Sequence, residues 1–166
     1  VVFTFIALFS FVYSFYGIKQ PVIFGQVIDM NGDEKKESEK YSRSGLKDKQ
    51  AEEYLQKLIS IMETEKPYLD RDLSIQNLSV ITGIPRHHIT QVLNEKHGKN
   101  FFTFINEYRV KEVISRFGDP ANNNFTILAI AYDSGFNSKT TFNAIFKSIT
   151  GLTPSEYREK STGIRE

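Results

Sequence analysis

Two stretches of this chain obey one grammar, and that repeat constrains the fold more than any other feature. Residues 74–98 read SIQNLSVITGIPRHHITQVLNEKHG; residues 126–151 read TILAIAYDSGFNSKTTFNAIFKSITG. Ser74 and Thr126 open the copies as N-caps. Ile75 and Leu78 match Ile127 and Ile130, while Ser79 and Gly83 match Ala131 and Gly135. Ile84 matches Phe136, Gly98 matches Gly151, and Ile89, Val92 and Leu93 match Phe142, Ile145 and Phe146. The second copy has one extra residue in its turn, so the offset grows from about 52 to about 53.

Each element of the pattern has a physical reason. A small residue in the first helix lets a second helix cross closely over it. A glycine four positions later supplies a turn with φ > 0, where other residues are strained. The apolar residue after the glycine plugs the corner. The pattern predicts two helix-turn-helix units, and in such a unit the N-terminal half of the second helix faces a DNA major groove.

The apolar stripes say which side chains remain outside. With Ile89, Val92 and Leu93 inward, Arg86, His87, Thr90, Gln91 and Asn94 are expected on the outer face of the first reading helix. With Phe142, Ile145 and Phe146 inward, Lys139, Thr140, Asn143 and Lys147 are expected outside on the second, flanked by Thr141 and Ala144. Asn and Gln suit adenine; Arg and Lys suit guanine or phosphate. Carboxylates are missing from the leading part of both helices, and Glu95 comes only late. The whole chain carries a net charge of only +1, too little to argue for nucleic acid by itself. Residues 71–150 nevertheless hold nine Lys or Arg against six Asp or Glu, so the basic excess sits in the repeat.

The remaining segments are helical or linking. From about residue 47, Ala51, Tyr54, Leu55, Leu58, Ile59 and Met62 form one stripe, which Pro67 ends. Pro85 is expected at the first position of its helix. Another helix is expected over about 101–117, GDPANNN reads as a loop, and Pro154 opens a short last helix. No segment alternates with period two, so the soluble part reads as all-α.

Residues 1–18, VVFTFIALFSFVYSFYGI, carry no charge. Such a run makes a helix of about 27 Å, close to the hydrocarbon thickness of a bilayer. Residues 1–20 are expected to be the last membrane span of a longer, anchored protein. Lys19 then puts the chain beyond it in the cytoplasm. Residues 21–49, with Gly, Ser and both charge signs, read as a flexible linker to a domain over 50–162.

Several chemistries find no support. The chain has no cysteine, and His87, His88 and His97 have no spacing suited to zinc. No phosphate loop or nucleophile elbow occurs. Neither an enzyme nor a cofactor is expected.

At ILAIAYDSGFNSKTTFNAIFKSITGLTPSEYR the chain resembles the DNA-binding domain of the AraC/XylS family of bacterial transcription regulators. The shared features are Ile-Ala, Gly-Phe, a Ser, Phe, Phe-Lys, Thr-Gly-x-Thr-Pro and Tyr-Arg. The resemblance runs from about residue 50 to 160, and SFYGIKQPVIFG before a charged linker is similar to membrane-anchored members. It implies two helix-turn-helix subdomains (about 74–97 and 126–149) joined by one long helix. It further implies that the reading helices enter successive major grooves about 34 Å apart.

Carried over residue by residue, the base-contacting positions are His87, Thr90 and Gln91, then Lys139, Thr140, Asn143 and Ala144. Ala144 stands where the family often has arginine, and His87 where a large aromatic can stand. The second helix is therefore expected to read bases weakly and to supply phosphate contacts through Lys139 and Lys147. The helix N-termini at Ser74 and Thr126 can add backbone contacts to phosphate. The resemblance also implies contact with RNA polymerase, and a homodimer is compatible with it. The competing reading is a membrane-tethered helical module that binds other proteins. On the DNA reading, Gln91→Ala is expected to cost about 1–3 kcal/mol on the cognate site and little elsewhere.

Overall fold

The computed structural model describes residues 46–163. The uncharged run at 1–18 and the charged stretch as far as residue 45 lie outside the described residues, and with them the expected membrane span and linker. No helix among the described residues is long and apolar enough to cross a membrane. In chain order the elements are α1 (Asp48–Thr64), a 3-10 turn (Pro67–Leu69), α2 (Ile75–Thr82), α3 (Arg86–His97) and α4 (Phe101–Gly118). A second 3-10 turn (Pro120–Asn122), α5 (Ile127–Asp133), α6 (Lys139–Thr150) and α7 (Pro154–Gly163) complete the order. No strand occurs among the described residues.

Local chemistry starts and stops these helices. Ser74 accepts a hydrogen bond from the Asn77 amide at 3.1 Å, and Thr126 accepts one from the Ala129 amide at the same distance. Ser138 and Asn100 cap α6 and α4 in the same way, through the amides of Thr141 and Thr103. A side-chain cap of this kind contributes about 1 kcal/mol. Pro85 sits one place earlier than the sequence suggests: it is the N-cap of α3, and its carbonyl accepts from the amides of His88 and Ile89. The turn before Pro154 is a capping box, in which the Thr153 hydroxyl accepts from the Glu156 amide while the Glu156 carboxylate accepts from the Thr153 amide.

Two hydrophobic cores result, and α4 serves both. Its first half sends Phe104 and Ile105 into a core with Leu58, Met62, Leu78, Ile89 and Leu93. Its second half sends Val110, Val113 and Phe117 into a core with Ile130, Ala131, Phe136, Phe142 and Phe146. The first core is closed by α1, whose Ala51, Leu55, Leu58 and Met62 are buried, as their spacing predicts; Tyr54 and Ile59 are half-buried. The second is closed by α7, where Tyr157 meets Phe146 edge-on and Arg158 donates to the carbonyls of Phe125, Asn122 and Asn123.

The two turns share a device that the repeat did not reveal. Thr82 and Ser134 are buried, and each hydroxyl donates to the carbonyl four residues back, Leu78 at 2.7 Å and Ile130 at 2.8 Å. The glycines next to them have positive φ, +67° at Gly83 and +95° at Gly135. Their surroundings differ. A Cβ added at Gly83 would meet nothing within 4 Å, whereas one at Gly135 would lie on the Tyr68 carbonyl oxygen and 2.8 Å from Arg109 Nε. Gly83→Ala should therefore lower stability by about 1–2 kcal/mol, the cost of the left-handed backbone alone. Gly135→Ala adds an overpacking cost and should reach about 3 kcal/mol or more. Thermal melts of the two variants check this; equal losses would exclude the steric component.

Candidate nucleic-acid interface

The outer faces of α3 and α6 match their apolar stripes to different degrees. On α6 every expected outward residue is exposed: Lys139, Thr140, Asn143 and Lys147, together with Ala144. Phe142 and Phe146 are buried beneath them, and Ile145 is half-buried. Helix α6 contains no carboxylate.

On α3 the agreement is partial. Arg86 and His87 are exposed. Thr90 is half-buried, and its hydroxyl donates to the Arg86 carbonyl at 3.0 Å. Gln91 is a correction. The stripe argument puts it outside, but it is only 5% exposed and its amide donates to Glu95 Oε2 at 3.0 Å. The reason is tertiary. Gln91 comes three residues after His88, on the same side of the helix. There His88 packs toward Tyr54 of α1, with ring centroids 5.8 Å apart. The buried arc of α3 is thus wider than its apolar stripe.

The histidines are packing residues to different degrees. His88 is half-buried, and burial, together with the neighbouring His87 ring at 4.2 Å, holds its pKa below the usual value. His97 meets Phe104 edge-on, and burial lowers its pKa too. Among the described residues no group of three or more His, Cys, Asp or Glu could hold a metal ion.

Sorting the cations changes the electrostatic picture. Of the nine between residues 71 and 150, Arg71 and Arg109 donate to backbone carbonyls, while Lys96, Lys99 and Arg116 pair with Asp48, Glu107 and Glu112. Lys111 lies over the Tyr108 ring. Arg86, Lys139 and Lys147 have no ion-pair partner among the described residues. These three stand on α3 and α6. The exposed cations of α3 and α6 thus stand outside the ion pairs that hold the other charged side chains.

Glu112 of α4 gathers Lys66 at 3.0 Å, Arg116 at 2.9 Å and the Tyr68 hydroxyl at 3.2 Å. Burial alone would raise its pKa, but the hydrogen bonds from Arg116 and Lys66 outweigh burial and hold the carboxyl below the usual range. Tyr68 is pushed up to about 12, by burial first and then by the Glu112 carboxylate.

Paired helix-turn-helix units on a shared central helix define a class of bipartite helix-turn-helix domain. The family model described as "Helix-turn-helix domain" matches residues 78–160, half of the chain. An AraC-type DNA-binding-domain regulator of Chromobacterium violaceum superposes with a TM-score of 0.56 at 19% identity, covering 66% of this chain and 93% of that one. A Listeria innocua protein of unknown function gives 0.55 at 24% identity, covering 64% and 95%. An uncharacterized HTH-type transcriptional regulator of Staphylococcus aureus (strain COL) is 31% identical over 99 residues, which is 60% of this chain and 13% of that protein. The TCP pilus virulence regulatory protein of Vibrio cholerae is 39% identical over 72 residues, 43% of this chain and 25% of its own length. This chain belongs to the AraC-type helix-turn-helix family. Its match spans about an eighth of the length of the staphylococcal relative.

The Glu112 cluster gives a pH prediction. Because the folded pKa is depressed, the stability it contributes is complete above the ordinary carboxyl value of 4.5 and is lost as pH falls through the folded value. The melting temperature of Glu112→Gln should fall short of the parent's at neutral pH, and the gap should narrow below about pH 4.5. A gap constant with pH would deny Glu112 that role.

Proposed function

We propose that residues 46–163 form a sequence-specific duplex-DNA-binding domain of a transcription regulator, with α3 and α6 placed in successive major grooves. The observation that carries this reading is the coincidence of two features on the same two helices. Their outer faces lack carboxylates in the leading turns, and they hold Arg86, Lys139 and Lys147 without ion-pair partners among the described residues. Phosphate contacts supply affinity and position, while base edges supply specificity. Lys139 and Lys147, at the two ends of the exposed face of α6, suit phosphate. Asn143 between them suits the paired donor and acceptor of adenine, and Thr140 and Ala144 suit the thymine methyl. On α3, Arg86 and His87 are the exposed readers and Thr90 stands beside them.

The burial of Gln91 reverses the expected division of labour. With Gln91 turned away, α3 offers fewer exposed donors and acceptors than α6, so α6 carries the larger share of base reading in this proposal. The competing protein-interaction reading draws on Val80, 76% exposed, and Ile81 on the outer side of α2. Binding driven by such apolar residues would respond little to salt, whereas phosphate-driven binding weakens steeply as salt rises.

Selection from a random duplex library and titration at several salt concentrations test the proposal. An enriched motif is expected, and log K should fall linearly with log salt. Replacing Arg86, Lys139 or Lys147 with Gln should reduce the slope by about one each if each meets a phosphate. Asn143→Ala should cost about 1–3 kcal/mol on the selected site and much less on scrambled duplex. Gln91→Ala should instead weaken all sequences alike. No enrichment, together with salt-indifferent binding, would overturn the reading.

A further inference from the structure

Arg109 lies on α4 at the point where that helix leaves one core and enters the other, between Tyr108 and Val110. Its Nε donates to the Tyr68 carbonyl and its Nη2 to the Asp70 carbonyl, both at 2.8 Å. These acceptors are backbone atoms of the first unit's 3-10 turn and the residue after it. On its other side, the guanidinium carbon lies 6.0 Å from the centroid of Phe136, the corner plug of the second unit. Gly135 closes the gap, since any Cβ there would strike the same carbonyl and the same Nε. A second link runs parallel: Arg71 Nε donates to the Tyr132 carbonyl at 3.0 Å, with its guanidinium 5.1 Å from the Tyr132 ring centroid.

Both partners of the Arg109 contact are anchored. Tyr68 is buried in the first core and stacks on Tyr108, and Phe136 is buried in the second against Phe142. A planar fork held by two backbone acceptors cannot rotate without losing a bond. We infer that Arg109, backed by Arg71, is a positioning residue that locks the turn of the second unit onto the first and so sets the spacing of the two half-sites the protein accepts on DNA. The consequence for DNA rests on the reading that both helices enter grooves. One base pair of extra spacing turns the second half-site by about 35° around the duplex, since a turn holds about 10–10.5 base pairs. A latched domain resists that rotation more than one whose units are joined by α4 alone.

Two measurements on the full chain separate the latch from its consequence. The chain has no cysteine, so Arg86→Cys together with Ser148→Cys places one spin label on each reading helix without background. In the absence of DNA, pulsed EPR should give a narrow distance distribution for the parent. The distribution should be about twice as wide in Arg109→Ala or Arg71→Ala. Should Arg109→Ala fail to fold, Arg71→Ala decides, because Arg71 is exposed. Unchanged width in folded variants would overturn the inference.

The second measurement takes duplexes selected by the parent and inserts or deletes one base pair between the half-sites. The parent should lose about tenfold or more on altered spacing, as for a mismatched site. The variants should lose only a few-fold, so the ratio between spacings shrinks. Equal proportional losses on every spacing would reduce Arg109 and Arg71 to general stabilisers and overturn the inference. If the parent selects no two-part site, the DNA reading fails, and the label distances still decide the latch.

Discussion

The close approach of Gly135 to the Tyr68 carbonyl is the constraint on which the rest of the arrangement depends. Two small helical units, each with its own core, meet there with no room for a single carbon. Helix α4 joins the units as one connection between them. The contact at Gly135, with Arg109 and Arg71 bridging it, supplies a second. A glycine is needed there for two independent reasons, a positive φ and the absence of space. Gly83, its counterpart in the first unit, needs only the first.

The same junction bears on the surface above it. How α3 and α6 are held relative to each other follows from it. The cations divide accordingly. Arg71, Arg109 and Arg116 hold the protein to itself, while Arg86, Lys139 and Lys147 have no ion-pair partner among the described residues. Counting charges along the chain cannot separate these groups, because both are simply Lys and Arg in the same segment. Their roles differ because some reach a carbonyl or carboxylate and others reach solvent.

Much of the architecture was legible because its causes are local. Caps at Ser74 and Thr126 act over three residues, turn glycines act at one, and the inward stripes of α3 and α6 repeat every three or four. The all-α class, the two helix-turn-helix units and the joining helix near 101–117 come from such signals. The outward residues of α6 were read correctly for the same reason: beside its aromatic stripe, Lys139, Thr140, Asn143, Ala144 and Lys147 are exposed among the described residues. Helix α3 was harder. Its flank at His88 lies toward Tyr54 of α1, far earlier in the chain, and Gln91, a polar side chain, was buried without an apolar signal to announce it.

The sequence by itself determined the elements and their inward faces, because hydrogen bonding and apolar periodicity act between residues a few positions apart. It also determined that two copies of one unit exist, and that their second helices lead without carboxylates. Tertiary structure alone decided that α4 is shared between two cores, that Gln91 is buried, and that three particular cations have no ion-pair partner among the described residues. It alone decided that Arg109 reaches the Tyr68 carbonyl 41 residues away and Arg71 reaches Tyr132 across 61. Contacts at such separations leave no periodicity in the chain; they exist because packing each core brings distant backbone atoms to within a hydrogen bond of a guanidinium.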